Sequence, residues 1–255
     1  VSLIVEQKGA VLRVHLNRPD VRNAFDDSLI AELTSAFRDV SHDVRAVALS
    51  GEGKVFCAGG DLNWMQRTAD YSEEENLRDA EALAALFLAV DECPCPVVAR
   101  VQGAAFGGGL GLVSVSDVVI ADTGARFCFS EVKLGLVPSV ISQFAIRKIG
   151  EGAARRYFLT AEVFDASEAQ RIGLVHRVVP TEQLDDETEA VLSAILPNGP
   201  NAVRSAKALI RQLRGKTVEE GVSLSTKTIA HARASEEGKE GVTAFLQKRK
   251  PSWQD

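Results

Sequence analysis

The chain has 255 residues, 45% hydrophobic and 25% charged, enough to bury a sizeable core and unlike a disordered polymer. A formal charge of -6, from 29 basic and 35 acidic residues, argues against a nucleic-acid or anionic-membrane surface, and no apolar run approaches the ~20 residues that span a bilayer. The four cysteines, at 57, 93, 95 and 128, form no C-x-x-C pair and stand beside none of the four histidines, so buried free thiols are expected and no metal site.

From the N-terminus, "VSLIVEQKGAVLRVHLNRPD" meets a charge at Glu6 and lacks the order of a secretory signal, so a cytoplasmic protein is expected. Within it, "LIVEQ" and "VLRVHLN" are β-branched runs joined by "KGA", the pattern of a hairpin. "DDSLIAELTSAFRDV" places Leu29, Ile30, Leu33 and Phe37 on one helical face. A strand "RAVALS" follows, then the loop "GEGKVFCAGGD", a charged helix from about Ser72 to Asp91, and a buried strand "PVVARV". "SDVVIAD" reads as another strand and "SVISQFAIRKIG" as a helix ending at Gly150. Alternation of strand and helix predicts an α/β fold with a parallel sheet.

Beyond Glu151 the texture turns helical, interrupted by "GLVHRVV" and broken at "PNGP"; in "NAVRSAKALIRQL", Val203, Ala206, Ile210 and Leu213 share a face. We divide the chain into a core over residues 1–195 and a helical C-terminal region over residues 196–255. His15 and His176 read as structural, since neither adjoins a nucleophile or carboxylate in a recognised arrangement.

One stretch asks for a chemical explanation. "GAAFGGGLGL", Gly103 to Leu112, gathers five glycines after a buried strand, which suits close approach of a ligand or of another backbone. Gly109 and Gly111 begin a G-x-G-x-x-G pattern that fails at Ser114, and no Lys-Ser or Lys-Thr completes a phosphate loop. Tight helix packing is the plain alternative. A second small-residue loop, "FCAGGD" from Phe56 to Asp61, also follows a strand, so both loops should leave the carboxyl edge of one sheet. Two such loops can offer a pair of backbone N–H donors to a carbonyl oxygen that gains negative charge, each donor worth roughly 3 to 4 kcal/mol of barrier.

Five motifs in order, "NRPDVRNAF", "FCAGGDLNWM", "RVQGAAFGGGLGL", "SEVKLGLVP" and "FLQKRKPSW", resemble the crotonase, or enoyl-CoA hydratase/isomerase, family over nearly the whole chain. The resemblance implies a crotonase-like spiral of ββα repeats with a C-terminal helical region that trimerises, as a homotrimer or a dimer of trimers. It implies an acyl-CoA thioester substrate and no cofactor beyond the coenzyme A carried by that substrate. The N–H groups of Gly60 and Gly108 would hold the thioester oxygen, with the helix starting near Gly108 adding its positive end. Arg22, Ala24 and the Ala58, Gly59, Asp61, Leu62 loop would line the coenzyme A path, while Phe245 and Lys248 would meet the nucleotide end across a subunit boundary. Arg22 as a solvated loop residue and Lys248 as an ordinary charged helix face remain the competing readings. Trp64 either walls the acyl pocket or caps the core. Asp61 more plausibly fixes loop geometry than carries protons.

Glu131 is the implied acid/base group, an acidic residue among apolar neighbours where burial raises its pKa toward a useful range. An ion pair with Lys133 is the competing structural role. Two-carboxylate hydratases of the family carry an earlier glutamate at the position of Gly111, twenty residues before Glu131, so this chain departs from that pattern. "FCAGGDLNWM" and "SEVKLGLVPSVIS" nevertheless resemble the bacterial 3-methylglutaconyl-CoA hydratases of leucine breakdown, which implies hydration of a branched, carboxylated enoyl-CoA. Ser139, Ser142 and Gln143 are the polar groups then available to hold water. A Δ3,Δ2-enoyl-CoA isomerase, an acyl-CoA decarboxylase and, outside enzymes, an RNA-binding protein are the alternatives.

Overall fold

A computed structural model describes residues 1–254. β1 (Leu3–Lys8) and β2 (Val11–Leu16) form the expected hairpin, and α1 (Asp27–Arg38) starts where the Asp26 side chain accepts the Leu29 N–H. α1 buries Leu29, Ile30, Leu33 and Phe37, the face its spacing predicted. β3 (Ala46–Gly51) runs parallel to β2, followed by α2 (Leu62–Thr68) and α3 (Glu73–Glu92), the latter opened by a capping box between Ser72 and Glu75.

Next come β4 (Val97–Val101), β5 (Ala104–Phe106), α4 (Gly108–Val115), β6 (Val118–Asp122) and β7 (Arg126–Cys128). α5 (Ser139–Thr160) is broken at Gly150, whose φ of 76° separates the two helical runs anticipated on either side. β8 (Phe164–Asp165), α6 (Ala166–Arg171), β9 (Arg177–Val179) and α7 (Leu184–Ile195) complete the core, and α8 (Pro200–Gln212), α9 (Val218–Ala234) and α10 (Glu236–Leu246) follow the "PNGP" break.

The main sheet has the order β1-β2-β3-β4-β6-β9, parallel beyond the first hairpin, and a small second sheet has the order β5-β7-β8. Each turn of the spiral repeats one unit: a strand of the main sheet, a short strand of the second layer, then a helix, as in β4-β5-α4 and β6-β7-α5. Contrary to the sequence expectation, the glycine loops therefore do not leave the main sheet directly. A short second-layer segment intervenes in both cases, Cys57 bridging Ala105 of β5, because each chain turns a corner before its helix. Phe56, Phe87, Phe127 and Phe129 belong to the main hydrophobic core and have no exposed surface.

α8 inverts the amphipathic habit of α1. Its stripe of shared apolar positions leaves Ile210 70% exposed, while its cations turn inward. Lys207 pairs with Asp117 at 2.7 Å and donates to the Cys95 carbonyl, and Arg204 donates to the His42 and Val44 carbonyls. Among the described residues no helix is long and apolar enough to cross a membrane.

Candidate active site

The first glycine turn is strapped to the segment after β2 by three backbone hydrogen bonds: Ala58 N–H to the Arg22 carbonyl (3.0 Å), Phe25 N–H to Gly59 (2.7 Å) and Asp61 N–H to Phe25 (2.8 Å). Arg22 and Asn23 take left-handed φ values of 56° and 55°, and the buried Asn23 amide holds the Glu52 and Val55 carbonyls at 2.9 and 2.8 Å. Asp61 caps α2, accepting from the Asn63 and Trp64 N–H groups and from Arg18 at 2.9 Å. Burial alone would raise its pKa, but those donors hold it below the usual carboxylate range. Arg18 also pairs with Asp26 at 2.9 Å and donates to the Ala24 carbonyl, tying the start of α1 to the same turn.

The second turn meets the first. Gly59 (φ 96°) lies so close that a Cβ built on it would stand 3.0 Å from the Phe106 oxygen and 3.7 Å from the Gly107 Cα. Gly107 (φ 48°) precedes α4 and donates to the Cys128 carbonyl at 3.0 Å, so β7 fixes the entry of the helix. Both positions need glycine for their left-handed conformation, and Gly59 needs it for space as well. Among the described residues neither the Gly60 nor the Gly108 N–H has a hydrogen-bond acceptor. Trp64 lies over Gly60, its ring 3.1 Å from where a Cβ would be, and its indole N–H donates to Asp79 of α3 at 3.1 Å. Trp64 thus packs against the core, one of its two expected roles, and also covers the Gly60 turn.

Glu131 opens a short 3-10 turn after β7 and comes to the same place: a Cβ on Gly107 would be 3.5 Å from its Oε1 and 3.6 Å from Ser130 Oγ. Its Oε2 is buried without a hydrogen-bond partner, and burial raises its pKa above the usual glutamate value. The competing ion pair with Lys133 is absent, because that ammonium turns toward Cys128 Sγ at 3.9 Å. At Gly111 a side chain would run into the Phe87 ring and Ile141 Cγ2, so core packing fills the space of the missing first carboxylate.

The remaining expected residues are spread around this centre. Ala24 is buried, Ala58 half-buried, Arg22 and Leu62 exposed. Ser139 is exposed at the start of α5, and Ser142 Oγ donates to the Ser139 carbonyl at 2.6 Å. Phe245, 81% exposed, and Lys248 lie at and just past the end of α10, with no described bond to the glycine turns. The histidines serve structure: His15 bonds Ser50 and Glu52, and His176 Nδ1 accepts the Val119 N–H at 2.9 Å. Sequence reasoning missed Ser130, which has no signature apart from its place before Glu131.

Comparison with known proteins gives the family and the fold. Residues 6–255 match the model of the enoyl-CoA hydratase/isomerase family. A solved enoyl-CoA hydratase from Shewanella pealeana is 41% identical, covering 99% of this chain and 96% of its own, with a TM-score of 0.94. A solved enoyl-CoA hydratase from Mycobacterium smegmatis is 35% identical with full coverage of both chains and a TM-score of 0.95. Among curated relatives, the crotonyl-CoA hydratase of Syntrophomonas wolfei is 33% identical over 99% of this chain and 97% of its own. With its spiral fold, its two glycine turns and this likeness from end to end, the chain belongs to the enoyl-CoA hydratase/isomerase family.

Proposed function

We propose that this chain adds water across the α,β double bond of an enoyl-CoA thioester, reversibly and on one face, through a thioester enolate. The observation that carries the reading is the meeting of two acceptor-free glycine N–H groups with a buried, unpartnered carboxylate. The N–H groups of Gly60 and Gly108 take the thioester oxygen and, with the N-terminal end of α4, stabilise the charge that develops there. Glu131 accepts a proton from water as the water oxygen bonds to Cβ, and the π electrons move onto the thioester oxygen. The resulting Glu131 carboxylic acid then returns the proton to Cα, so H and OH add to the same side and no redox partner is needed.

The strap of Arg22, Ala24, Ala58, Gly59, Asp61 and Leu62 is the proposed coenzyme A path, and Phe245 and Lys248 the proposed contact to the nucleotide end from a neighbouring copy. The exposed apolar residues of α8 to α10, among them Ile210, Val218, Val242, Phe245 and Leu246, support the trimer that this contact requires. Sedimentation at assay concentration should give a trimer or a multiple of it; a monomer overturns that part.

For the acyl group our finer reading is a branched, carboxylated chain such as 3-methylglutaconyl, resting on the resemblance in the 56–65 and 130–142 stretches. A second reading, double-bond migration by Glu131 alone, is favoured by the packing that fills the space beside Gly111. A panel of straight, branched and γ-carboxylated enoyl-CoA thioesters in oxygen-labelled water separates them. Hydration incorporates label, migration does not, and decarboxylation releases gas. Glu131→Gln should lower the hydration rate by about 10²–10⁴. It should also remove the acid limb of the wild-type rate profile, which lies above the ordinary glutamate range because burial raises the Glu131 pKa. Equal rates remove Glu131 from the chemistry.

A further inference from the structure

We propose that the hydroxyl of Ser130 holds the attacking water beside Glu131, taking the place of the carboxylate that this chain lacks at Gly111. The inference rests on the hydration reading above and names the group that makes hydration possible with one carboxylate.

Three observations converge on it. First, the glutamate position at 111 is closed: Phe87 from α3 and Ile141 from α5 occupy the space that a side chain would enter, and Gly111 is itself buried. No water can be held from there. Second, Ser130 Oγ and Glu131 Oε1 flank one atom position, lying 3.6 and 3.5 Å from a Cβ built on Gly107, the residue before the acceptor-free Gly108 N–H. The two oxygens therefore face one small space and stand no more than about 7 Å apart, and a water placed between them reaches both once they lie within roughly 5.6 Å, twice an ordinary O–H···O length. Third, both groups await a partner, since Ser130 Oγ makes no hydrogen bond to the described residues and Glu131 Oε2 is buried and unpartnered. A carboxylate with a buried, unpartnered oxygen is costly, and a water shared between Ser130 Oγ and Oε1 gives that carboxylate a donor.

The other polar side chains nearby are otherwise engaged. Ser142 Oγ is tied to the Ser139 carbonyl, Ser139 lies exposed at the first turn of α5, and exposed Gln143 lines a groove with Arg147 and Arg214. Ser130 is brought to Gly107 by the hydrogen bond from the Gly107 N–H to Cys128, which anchors the end of β7 to the helix entry.

In the reaction the Ser130 hydroxyl accepts one hydrogen bond from the water, while the other water proton passes to Glu131 as the C–O bond forms. Ser130 gains and loses no proton overall. Its effect is on where the water sits, so it concerns hydration alone. Enolate formation from a saturated thioester needs Gly60, Gly108 and Glu131 but no nucleophilic water.

The test compares two reactions in wild type, Ser130→Ala and Ser130→Thr: hydration of crotonyl-CoA and 3-methylglutaconyl-CoA, and exchange of the α-proton of butyryl-CoA in deuterated water. In Ser130→Ala the hydration kcat should fall roughly tenfold to a hundredfold. Exchange should stay within about threefold of wild type. Ser130→Thr, which keeps the hydroxyl, should recover most of the hydration. A Ser130→Ala variant that hydrates at the wild-type rate overturns the proposal. So does one that loses both reactions in parallel, because a packing role predicts that result. If the wild type exchanges the α-proton but hydrates neither thioester, the hydration reading itself fails, and the role of Ser130 fails with it.

Discussion

The two ends of α4 are built on opposite rules. At the C-terminal end the carbonyls are satisfied several times over: Ser116 N–H and Oγ both donate to Leu112, and the buried ammonium of Lys148 donates to Val113 at 3.0 Å and to Ser116 at 2.5 Å. At the N-terminal end the Gly108 N–H has no acceptor within the described chain. An unpaired donor in a partly buried site costs about 1–3 kcal/mol, so a bare end persists only where the rest of the helix is held. The contrast teaches where the site gets its rigidity. α5 clamps the far end of a two-turn helix so that the near end can stay open, as the proposed oxyanion role requires.

The largest effect is expected from disturbing the open end. A Cβ on Gly108 would stand 2.7 Å from the Phe25 ring, and Phe25 is the residue that carries two of the three straps on the first glycine turn. Gly108→Val should therefore shift both turns together and lower hydration by more than the about 10²–10³ that loss of one donor brings. Gly152→Ala in α5, where nothing lies within 4 Å of the added methyl, should leave the rate unchanged. Steady-state rates of the two variants, with thermal unfolding curves alongside, check the pair. Wild-type activity in Gly108→Val would mean that the helix entry plays no part.

A second break falls in the middle of the helix. Gly111→Glu restores the residue type that two-carboxylate relatives use, but here it would push a carboxylate against Phe87 and Ile141. Overpacking typically costs about 1–3 kcal/mol and an unpaired buried carboxylate adds to it. The expected outcome is a lowered midpoint of thermal unfolding with no gain in hydration. A faster enzyme of unchanged stability would show that the core opens to admit the side chain.

The same contrast explains what could be read in the sequence. Elements ruled by local spacing were legible: the hairpin, the buried face of α1, the start of α3 at Ser72 and the break at Gly150. The two glycine turns were legible as places of close backbone approach, from five glycines in ten residues at one and the Gly59-Gly60 pair at the other, and Gly59 does lie against Gly107. What stayed hidden depends on contacts distant in sequence. The closed space at Gly111 is set by Phe87 and Ile141, 24 and 30 residues away, and no spacing rule announces it. The inward cations of α8 were hidden for the same reason, since Lys207 meets Asp117 only after the sheet has formed. Lys148 in turn reads as an ordinary basic residue of a helix until α4 is packed against α5.

The smallest effect concerns the clamped end. Burial lowers the Lys148 pKa from its ordinary 10.5 to about 8, with Asp117 opposing that shift. His176 beside it is held below its usual pKa by burial and by the Lys148 charge, so it is neutral across this range. Asp117 is paired with Lys207. Below pH 8 folded and unfolded chains both carry the Lys148 proton, and the burial cost of the ammonium is fully present. Between about 8 and 10.5 the unfolded chain binds more protons than the folded one, so this group makes stability rise with pH in that window. Activity should move the other way. Loss of the positive charge weakens the clamp on the Val113 and Ser116 carbonyls, an effect of about 0.3–1 kcal/mol for a charge at a helix end, or roughly a twofold to fivefold fall in kcat. Lys148→Met keeps the length of the side chain and removes the titration. Between pH 7 and 10.5, denaturant unfolding should lose its rise in stability from about 8 to 10.5, and kcat should lose its fall centred near 8. If the slopes survive in Lys148→Met, another group titrates and the clamp does not reach the oxyanion end.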